Sequence, residues 1–223
     1  MWETFYQGVL SAIEAMSYWE VAAVILGMAY LLLAMRENSL CWYAAFGSTA
    51  IYSWLFFDVS LVMESALNVY YLIMAVYGWY AWRTAKQTNK ESASNPIDEF
   101  KTPAIIHTWT LSQHSFAIGG VILLSLISGY LLSENTNAAL PYLDSFTTWG
   151  AVLTTYMVAK KVLENWLYWI VIDAAAVYLF IDRELYLTTL LMASYVILAI
   201  FGYISWNKRF KQQHQSYSRE QTI

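Results

Sequence analysis

Residues 164–181 of the chain read ENWLYWIVIDAAAVYLFI, a mostly apolar stretch of 18 residues that begins with Glu164 and carries a second carboxylate, Asp173, near its middle. A run of this length and composition is typical of a transmembrane helix, which needs about 20 mostly apolar residues to cross the hydrocarbon core. At 100° per residue, Trp166, Trp169 and Asp173 lie within about 60° of one another on such a helix. The stretch therefore predicts a membrane helix with two indoles and one acid on a single face.

The composition of the whole chain is that of a membrane protein. Of the 223 residues, 59% are hydrophobic, 17% are aromatic and 13% are charged, and the mean hydropathy is +0.42. A soluble domain averages roughly 45–50% apolar and 25% charged residues. The net charge of −4 leaves no basic face for nucleic acid, and the single cysteine, Cys41, excludes an internal disulfide.

Six further apolar segments bring the predicted number of membrane spans to seven. In chain order the spans are residues 19–35, 39–57, 65–82, 116–132, 145–159, 166–181 and 186–206. Residues 1–18 predict a helix that lies on the membrane interface, residues 83–115 predict a polar cytoplasmic loop, and residues 207–223 predict a frayed cytoplasmic tail. The predicted fold class is therefore all-α and integral to the membrane.

The basic residues predict how these spans are oriented. With the N-terminus outside, the inner loops and the tail hold eleven of the twelve Lys and Arg residues, and only Arg183 is left outside. The positive-inside rule predicts this bias for the stated orientation and the opposite bias for the reverse. We therefore expect the N-terminus outside and the C-terminus in the cytoplasm.

An internal repeat relates the first three spans to the last three. The matching sets are Glu37, Asn38 and Trp42 with Glu164, Asn165 and Trp169, 127 residues apart, and Tyr71, Gly78, Trp79 and Trp82 with Tyr195, Gly202, Tyr203 and Trp206, 124 residues apart. These matches pair span two with span six and span three with span seven. They predict two parallel three-helix repeats, residues 19–82 and 145–206, joined by a linker helix at 116–132.

Two polar faces within the spans are candidates for a substrate site. The indoles and the carboxylate of span six suit a flat aromatic ligand with hydroxyls, because the rings stack and the acid accepts hydrogen bonds or favours a cation. A carboxylate at membrane depth needs a polar path or a partner, so Asp173 faces either a ligand or a neighbouring helix. Span three presents Glu64, Asn68 and Tyr71 on one face, and span seven presents Tyr195 as a counterpart. Asn68 is placed to contact a ligand or another helix.

Other chemistries are disfavoured by what the spans contain. The three histidines are divided between the start of span four and the tail, which argues against a three-ligand metal site. No phosphate-binding loop or nucleophile elbow is present, and span seven lacks the lysine of a retinal Schiff base. We predict a small-solute carrier without a cofactor, not an enzyme; a membrane-embedded enzyme or receptor component is the distant alternative.

The chain resembles the PnuC-type vitamin transporters. The resemblance rests on Leu140-Pro141-Tyr142, Asp144, Thr147-Thr148, Glu164-Asn165-Trp166, Trp169, Asp173, Gly78-Trp79 and Trp82. It extends from the first span to the seventh, and the motif of span six is its most specific part.

The resemblance implies a fold with SWEET-like parallel halves, a homotrimer and a location in the bacterial inner membrane. It also implies uptake of nicotinamide riboside by facilitated diffusion, drawn forward by a cytosolic ribosylnicotinamide kinase that traps the riboside as its phosphate. Thiamine or riboflavin is the alternative cargo within the same fold.

The resemblance also implies roles for single residues. Trp166 and Trp169 would border the ligand, Asp173 would bond its ribose, and Asn68 with Tyr71 would face it from the other half. The predicted substrate-binding residues are Trp166, Trp169, Asp173, Asn68, Tyr71, Tyr195 and Thr148, and the predicted gate residues are Glu64 and Asp144.

Overall fold

A computed structural model of the chain describes residues 2–58, 62–92, 106–136 and 140–220. These residues form the helices α1 (Trp2–Ala15), α2 (Tyr18–Met35), α3 (Cys41–Asp58), α4 (Val62–Ser92), α5 (Leu111–Asn135), α6 (Pro141–Ala159), α7 (Asn165–Asp182) and α8 (Tyr186–Glu220). Each predicted span falls almost entirely within one of the helices α2 to α8, and the predicted interfacial segment forms α1.

The helices differ from the predicted spans mainly in length. Helix α4 continues to Ser92 and α8 continues to Glu220, where the sequence predicted a polar loop and a frayed tail. The added residues are mostly Lys, Arg, Gln and Ser without Pro or Gly, and the long polar side chains among them favour helix. Helix α6 has 19 residues and begins four residues before the predicted span, at Pro141. Proline is favoured at the first position of a helix, where its missing amide hydrogen would have had no partner.

Within the described part of the chain, four helices are long and apolar enough to cross a membrane. They are α2, α5, α7 and residues 186–215 of α8, with mean hydropathy of 1.8, 2.0, 1.3 and 2.0 over their most apolar windows. Helices α3, α4 and α6 have lower mean hydropathy, because Tyr, Trp, Ser and Thr occupy many of their positions. The chain is thus a multi-pass helical membrane protein.

The helices pack as two groups that are arranged alike. In the first group α3 packs on α2 and on α4; in the second, α7 packs on α6 and on α8; and α5 packs on α6. Between the groups, α4 contacts α6 and α8 contacts α2. When α2, α3 and α4 are exchanged with α6, α7 and α8, the contact of α4 with α6 becomes the contact of α8 with α2. A pseudo-two-fold relation between the groups requires this exchange.

The turns that follow α2 and α6 have the same backbone geometry. Each places a residue at positive φ, Glu37 at 52° and Lys161 at 57°, in the left-handed region used to end helices. The next amide, of Asn38 or Val162, donates at 3.0 Å to the carbonyl five residues earlier in both turns. Equivalent positions in the two turns are 124 residues apart.

This spacing corrects the register predicted between α3 and α7. The 127-residue match of Trp42 with Trp169 is wrong, because Trp42 corresponds to Trp166. The two indoles have the same neighbour: a Cβ added at Gly78 would overlap the Trp42 ring, and one added at Gly202 would overlap the Trp166 ring. Trp166 and Trp169 are three residues apart on α7, so the sequence alone allows either of them to match Trp42. The contact with a glycine distinguishes the two, because Trp166 lies against Gly202 as Trp42 lies against Gly78.

Four tryptophans form the core where the two groups meet. The ring centroids of Trp42 and Trp82 are 5.4 Å apart, those of Trp82 and Trp206 are 6.2 Å apart, and those of Trp206 and Trp166 are 5.5 Å apart. The two outer contacts are edge-to-face, an arrangement that contributes about 0.5–1.5 kcal/mol per pair beyond area burial. We call these four residues the tryptophan cluster.

The two central indoles of the cluster also donate hydrogen bonds across the interface. Trp82 Nε1 donates to the Ala159 carbonyl at 3.2 Å, and Trp206 Nε1 donates to the Ala34 carbonyl at 3.0 Å. Each acceptor lies in the last turn of a helix of the opposite group, where the final carbonyls have no partner within the helix. These two bonds tie α4 to α6 and α8 to α2.

The close contact between Gly202 and Trp166 predicts the effect of adding one methyl group at this glycine. G202A should lower the free energy of unfolding by about 1–3 kcal/mol, because the new methyl group overpacks against Trp166. Thermal unfolding of detergent-purified protein measures this. G119A on α5 is the matched control, since nothing lies within 4 Å of its added Cβ, and it should unfold at the same or a higher temperature. Equal losses in both variants would contradict the packing account.

Candidate substrate site

The carboxylate of Asp173 lies near the middle of α7 and is buried. Its exposed fraction is 6%, and among the described residues no hydrogen-bond donor or cation is paired with it. A buried charge in a low-dielectric region is costly unless it is compensated by a partner. The position of Asp173 therefore calls for a compensating group that the described protein residues do not supply.

Tyrosines from both groups lie near this carboxylate. Tyr71 on α4 and Tyr195 on α8 are equivalent by the 124-residue repeat, and both lie close enough to Asp173 to interact with it electrostatically. Tyr30 on α2 lies near Tyr71, and Tyr52 on α3 lies near Tyr195. Asp173 is thus near tyrosines of both groups.

The two tryptophans predicted to border the ligand have different environments. Trp166 is 1% exposed and covers Gly202 within the tryptophan cluster. Trp169 is partly buried, packs against that cluster and lies one turn from Asp173 on the same face. The indole of Trp169 is therefore the nearer of the two to the carboxylate along the helix.

Two further predicted binding residues lie on other helices. Asn68 is partly buried and shares a face of α4 with Tyr71, one turn away. Thr148 is partly buried on α6, beside Thr147, whose hydroxyl donates to the Asp144 carbonyl at 2.9 Å. Helices α4, α6, α7 and α8 therefore all carry predicted site residues.

Of the two predicted gate residues, Asp144 forms an ion pair. Arg183 donates to the Asp144 carboxylate at 2.8 Å, and both side chains are 29% exposed. This ion pair joins the start of α6 to the end of α7, both within the second half. The side chain of Glu64 lies outside the described residues.

The sequence did not single out Tyr30 and Tyr52. Both lie in spans that were predicted by hydropathy alone. A signal for them was available, because a phenol inside an apolar helix places a hydroxyl where it needs a hydrogen-bond partner. The Tyr195 hydroxyl on α8 reaches α2, where it would be 3.1 Å from a Cβ added at Gly27. The glycine leaves room there for a phenol of the other half.

The chemistry of this site is that of binding. A carboxylate, phenols and an indole are groups suited to binding a flat cationic ring with hydroxyls, and they provide no activated nucleophile. In residues 2–58, 62–92, 106–136 and 140–220, no three His, Cys, Asp or Glu side chains cluster closely enough to hold a metal ion. A polar, aromatic site between two similar helix groups of a multi-pass protein defines a membrane transporter.

Comparison with known proteins identifies the family. The chain belongs to the nicotinamide mononucleotide transporter family, whose model matches residues 17–208. The nicotinamide riboside transporter PnuC of Escherichia coli (strain K12) is 22% identical over 206 residues, which are 86% of this chain and 85% of that protein. The protein of the same name from Neisseria mucosa is 24% identical over 173 residues, 74% of this chain and 62% of that one.

A solved structure shares the fold. The crystal structure of the vitamin B3 transporter PnuC matches with a TM-score of 0.68 at 17% sequence identity, covering 94% of this chain and 89% of that one. The predicted resemblance to PnuC-type transporters is confirmed, and so is the prediction of a transporter and not an enzyme.

The unpaired state of Asp173 predicts how its loss affects folding. D173L should leave the free energy of unfolding unchanged or raise it, because an apolar side chain removes the cost of a buried carboxylate. S48A is the structural comparison: its hydroxyl donates to the Ala23 carbonyl at 2.8 Å, and its loss should cost about 1 kcal/mol. Thermal unfolding in detergent measures both. A D173L protein less stable than S48A would show that Asp173 holds the fold together.

Proposed function

We propose that this chain carries nicotinamide riboside across the membrane. The observation that carries the proposal is the Asp173 carboxylate, which is buried near the equivalent Tyr71 and Tyr195 and has no partner among the described residues. The pyridinium ring of the riboside is flat and positively charged, so it supplies the missing compensation. The names of the similar transporters support the same cargo.

In this proposal each group of the site meets a matching part of the ligand. Asp173 attracts the pyridinium charge or accepts from the ribose hydroxyls, and Trp169 stacks on the ring. Tyr71 and Tyr195 bond the ribose from opposite halves, and Asn68 pairs with the carboxamide. The remaining predicted site residues are Trp166, which is packed in the tryptophan cluster, and Thr148 on α6.

The proposed architecture has seven spans in a three, one, three arrangement. Support comes from the matching turns after α2 and α6, from the exchanged contacts between the groups, and from the likeness to the solved transporter. In the proposed orientation the N-terminus is outside, since eleven of the twelve basic residues then lie inside. The proposed location is the bacterial inner membrane.

The proposed mechanism is facilitated diffusion. Asp173 is the single Asp, Glu, Lys, Arg or His near the middle of any predicted span, which leaves no further carboxylate at that depth to carry a coupled proton. Net uptake is then driven by a cytosolic ribosylnicotinamide kinase that traps the product. We include the homotrimer in the proposal, because α5 exposes large apolar side chains such as Phe116 and Leu123 to lipid or to a neighbouring subunit.

The site predicts a measurable loss of affinity in two variants. D173N should weaken riboside binding roughly ten- to a hundredfold, because a charge-assisted contact of about 1.5–3 kcal/mol is removed. W169A should weaken it about five- to thirtyfold through the loss of stacking of about 1–2 kcal/mol. Isothermal titration calorimetry of purified protein gives both affinities.

A matched aromatic control is available on α4 of the first half. The Trp79 ring contacts the Tyr43 ring edge-to-face at 6.2 Å, about two turns along α4 from Tyr71, so W79A should bind the riboside as the wild type does. Wild-type affinity in D173N and W169A, or an equal loss in W79A, would remove the site from the proposal.

Transport by reconstituted protein tests the cargo and the mechanism together. Labelled riboside should equilibrate across proteoliposomes without an ion gradient, because no coupled ion is required. Thiamine, an aromatic cation, is the alternative that the carboxylate also favours, so it should compete more strongly than neutral riboflavin. Nicotinamide mononucleotide should compete at least about tenfold less than the riboside, since its phosphate is repelled by Asp173.

Two results would contradict this proposal. Accumulation that depends on a sodium or proton gradient would exclude facilitated diffusion. Stronger competition by thiamine than by unlabelled riboside would change the cargo while leaving the carrier in place.

A further inference from the structure

An ion pair joins the two halves at the end where α2 and α6 finish. Lys161 Nζ lies 2.8 Å from Glu37 Oε2, and both side chains are 13% exposed. Glu37 is in the turn after α2 and Lys161 is in the turn after α6, at equivalent positions 124 residues apart. In a two-fold arrangement a residue near the axis meets its own equivalent, so like charges there would repel. This chain has opposite charges at that position, and the two halves attract.

A second cation of the same half strengthens the contact. Arg209 on α8 donates from Nη1 to Glu37 Oε1 at 3.0 Å and to the Arg36 carbonyl at 2.9 Å. Glu37 therefore accepts from two basic residues of the second half, one with each carboxylate oxygen. Partly buried and shared between two donors, this carboxylate is screened less than an exposed surface pair.

The ion pairs lie beside the buried core where the halves meet. Lys161 Nζ lies 4.9 Å from the centre of the Trp82 ring, in the tryptophan cluster that ties the halves together. Cys41, the first residue of α3, is 0% exposed and belongs to the same buried core as that cluster. The turn after α6 thus helps to seal a part of the first half.

We propose that Glu37, Lys161 and Arg209 form an inner latch that must open for the substrate to leave toward the cytoplasm. The proposal rests on the proposed transport function and on its orientation, which places this end inside. When the halves separate at this end, both contacts of Glu37 break together; when they close again, the contacts reform. The Asp144–Arg183 pair differs, because both partners belong to the second half and move together.

The single cysteine of the chain reports whether the latch is closed. Cys41 is labelled with a membrane-impermeant maleimide added to the cytoplasmic face of inside-out vesicles. E37Q keeps the size of the side chain and removes its charge, so it should raise the labelling rate at least fivefold over the wild type. K161Q leaves the Arg209 contact in place and should raise the rate by less. R183Q, which breaks the ion pair inside one half, should label as slowly as the wild type.

A charge exchange separates a latch from a general loss of packing. E37K alone brings three cations together and should label fastest of all, whereas E37K/K161E restores opposite charges and should return the rate toward that of the wild type. Variants are compared after gel filtration and thermal unfolding establish that they are folded; E37Q and K161Q decide the result if E37K is not. Wild-type labelling rates in E37Q and K161Q, or an equal rise in R183Q, would overturn the latch.

The labelling experiment needs no ligand, so it is independent of the cargo. If riboside transport fails while E37Q still exposes Cys41, the latch stands and the proposed substrate is wrong. If transport is confirmed while E37Q labels as the wild type does, the substrate stands and the latch is wrong.

Discussion

A carboxylate held within the membrane must be compensated, and this constraint organises the centre of the molecule. Asp173 is buried at mid-helix, and the phenols of Tyr71 and Tyr195 approach it from the two halves. Hydroxyls can donate hydrogen bonds to an acid but carry no positive charge, so they lower the cost of the site without removing it. In the proposed function, a cationic ring that binds near Asp173 completes the compensation.

The repeat separates the scaffold of the protein from its chemistry. The scaffold is duplicated: the turns after α2 and α6, the glycine and indole contacts, and the indole bonds to opposite helix ends all recur. The chemistry is not duplicated, since Ala45 and Thr49 stand in the first half where Trp169 and Asp173 stand in the second. One half alone carries the acid and the partly buried Trp169 indole. The Glu37–Lys161 ion pair shows the same difference, with opposite charges at equivalent positions.

The sequence predicted the helices and one of the two repeat registers, and the limits of that prediction have physical causes. Hydropathy located the spans, and the match of Tyr71 with Tyr195 held because a whole set of small and aromatic residues on α4 recurs on α8. The match of Trp42 with Trp169 failed, because which indole lies against a glycine depends on packing between helices and not on order along the chain. Tyr30 and Tyr52 were missed for the same reason. The polar ends of α4 and α8 were assigned to a loop and a tail, although long polar side chains sustain a helix beyond a membrane.

The account depends on a cationic aromatic ligand placed between the halves at Asp173. A structure of the protein determined with nicotinamide riboside bound tests this most directly. The account predicts the pyridinium ring stacked on Trp169, within about 5 Å of the Asp173 carboxylate, where a charge pair is still strong in a low-dielectric site. The riboside bound elsewhere, or Asp173 turned toward lipid with the ligand present, would contradict it.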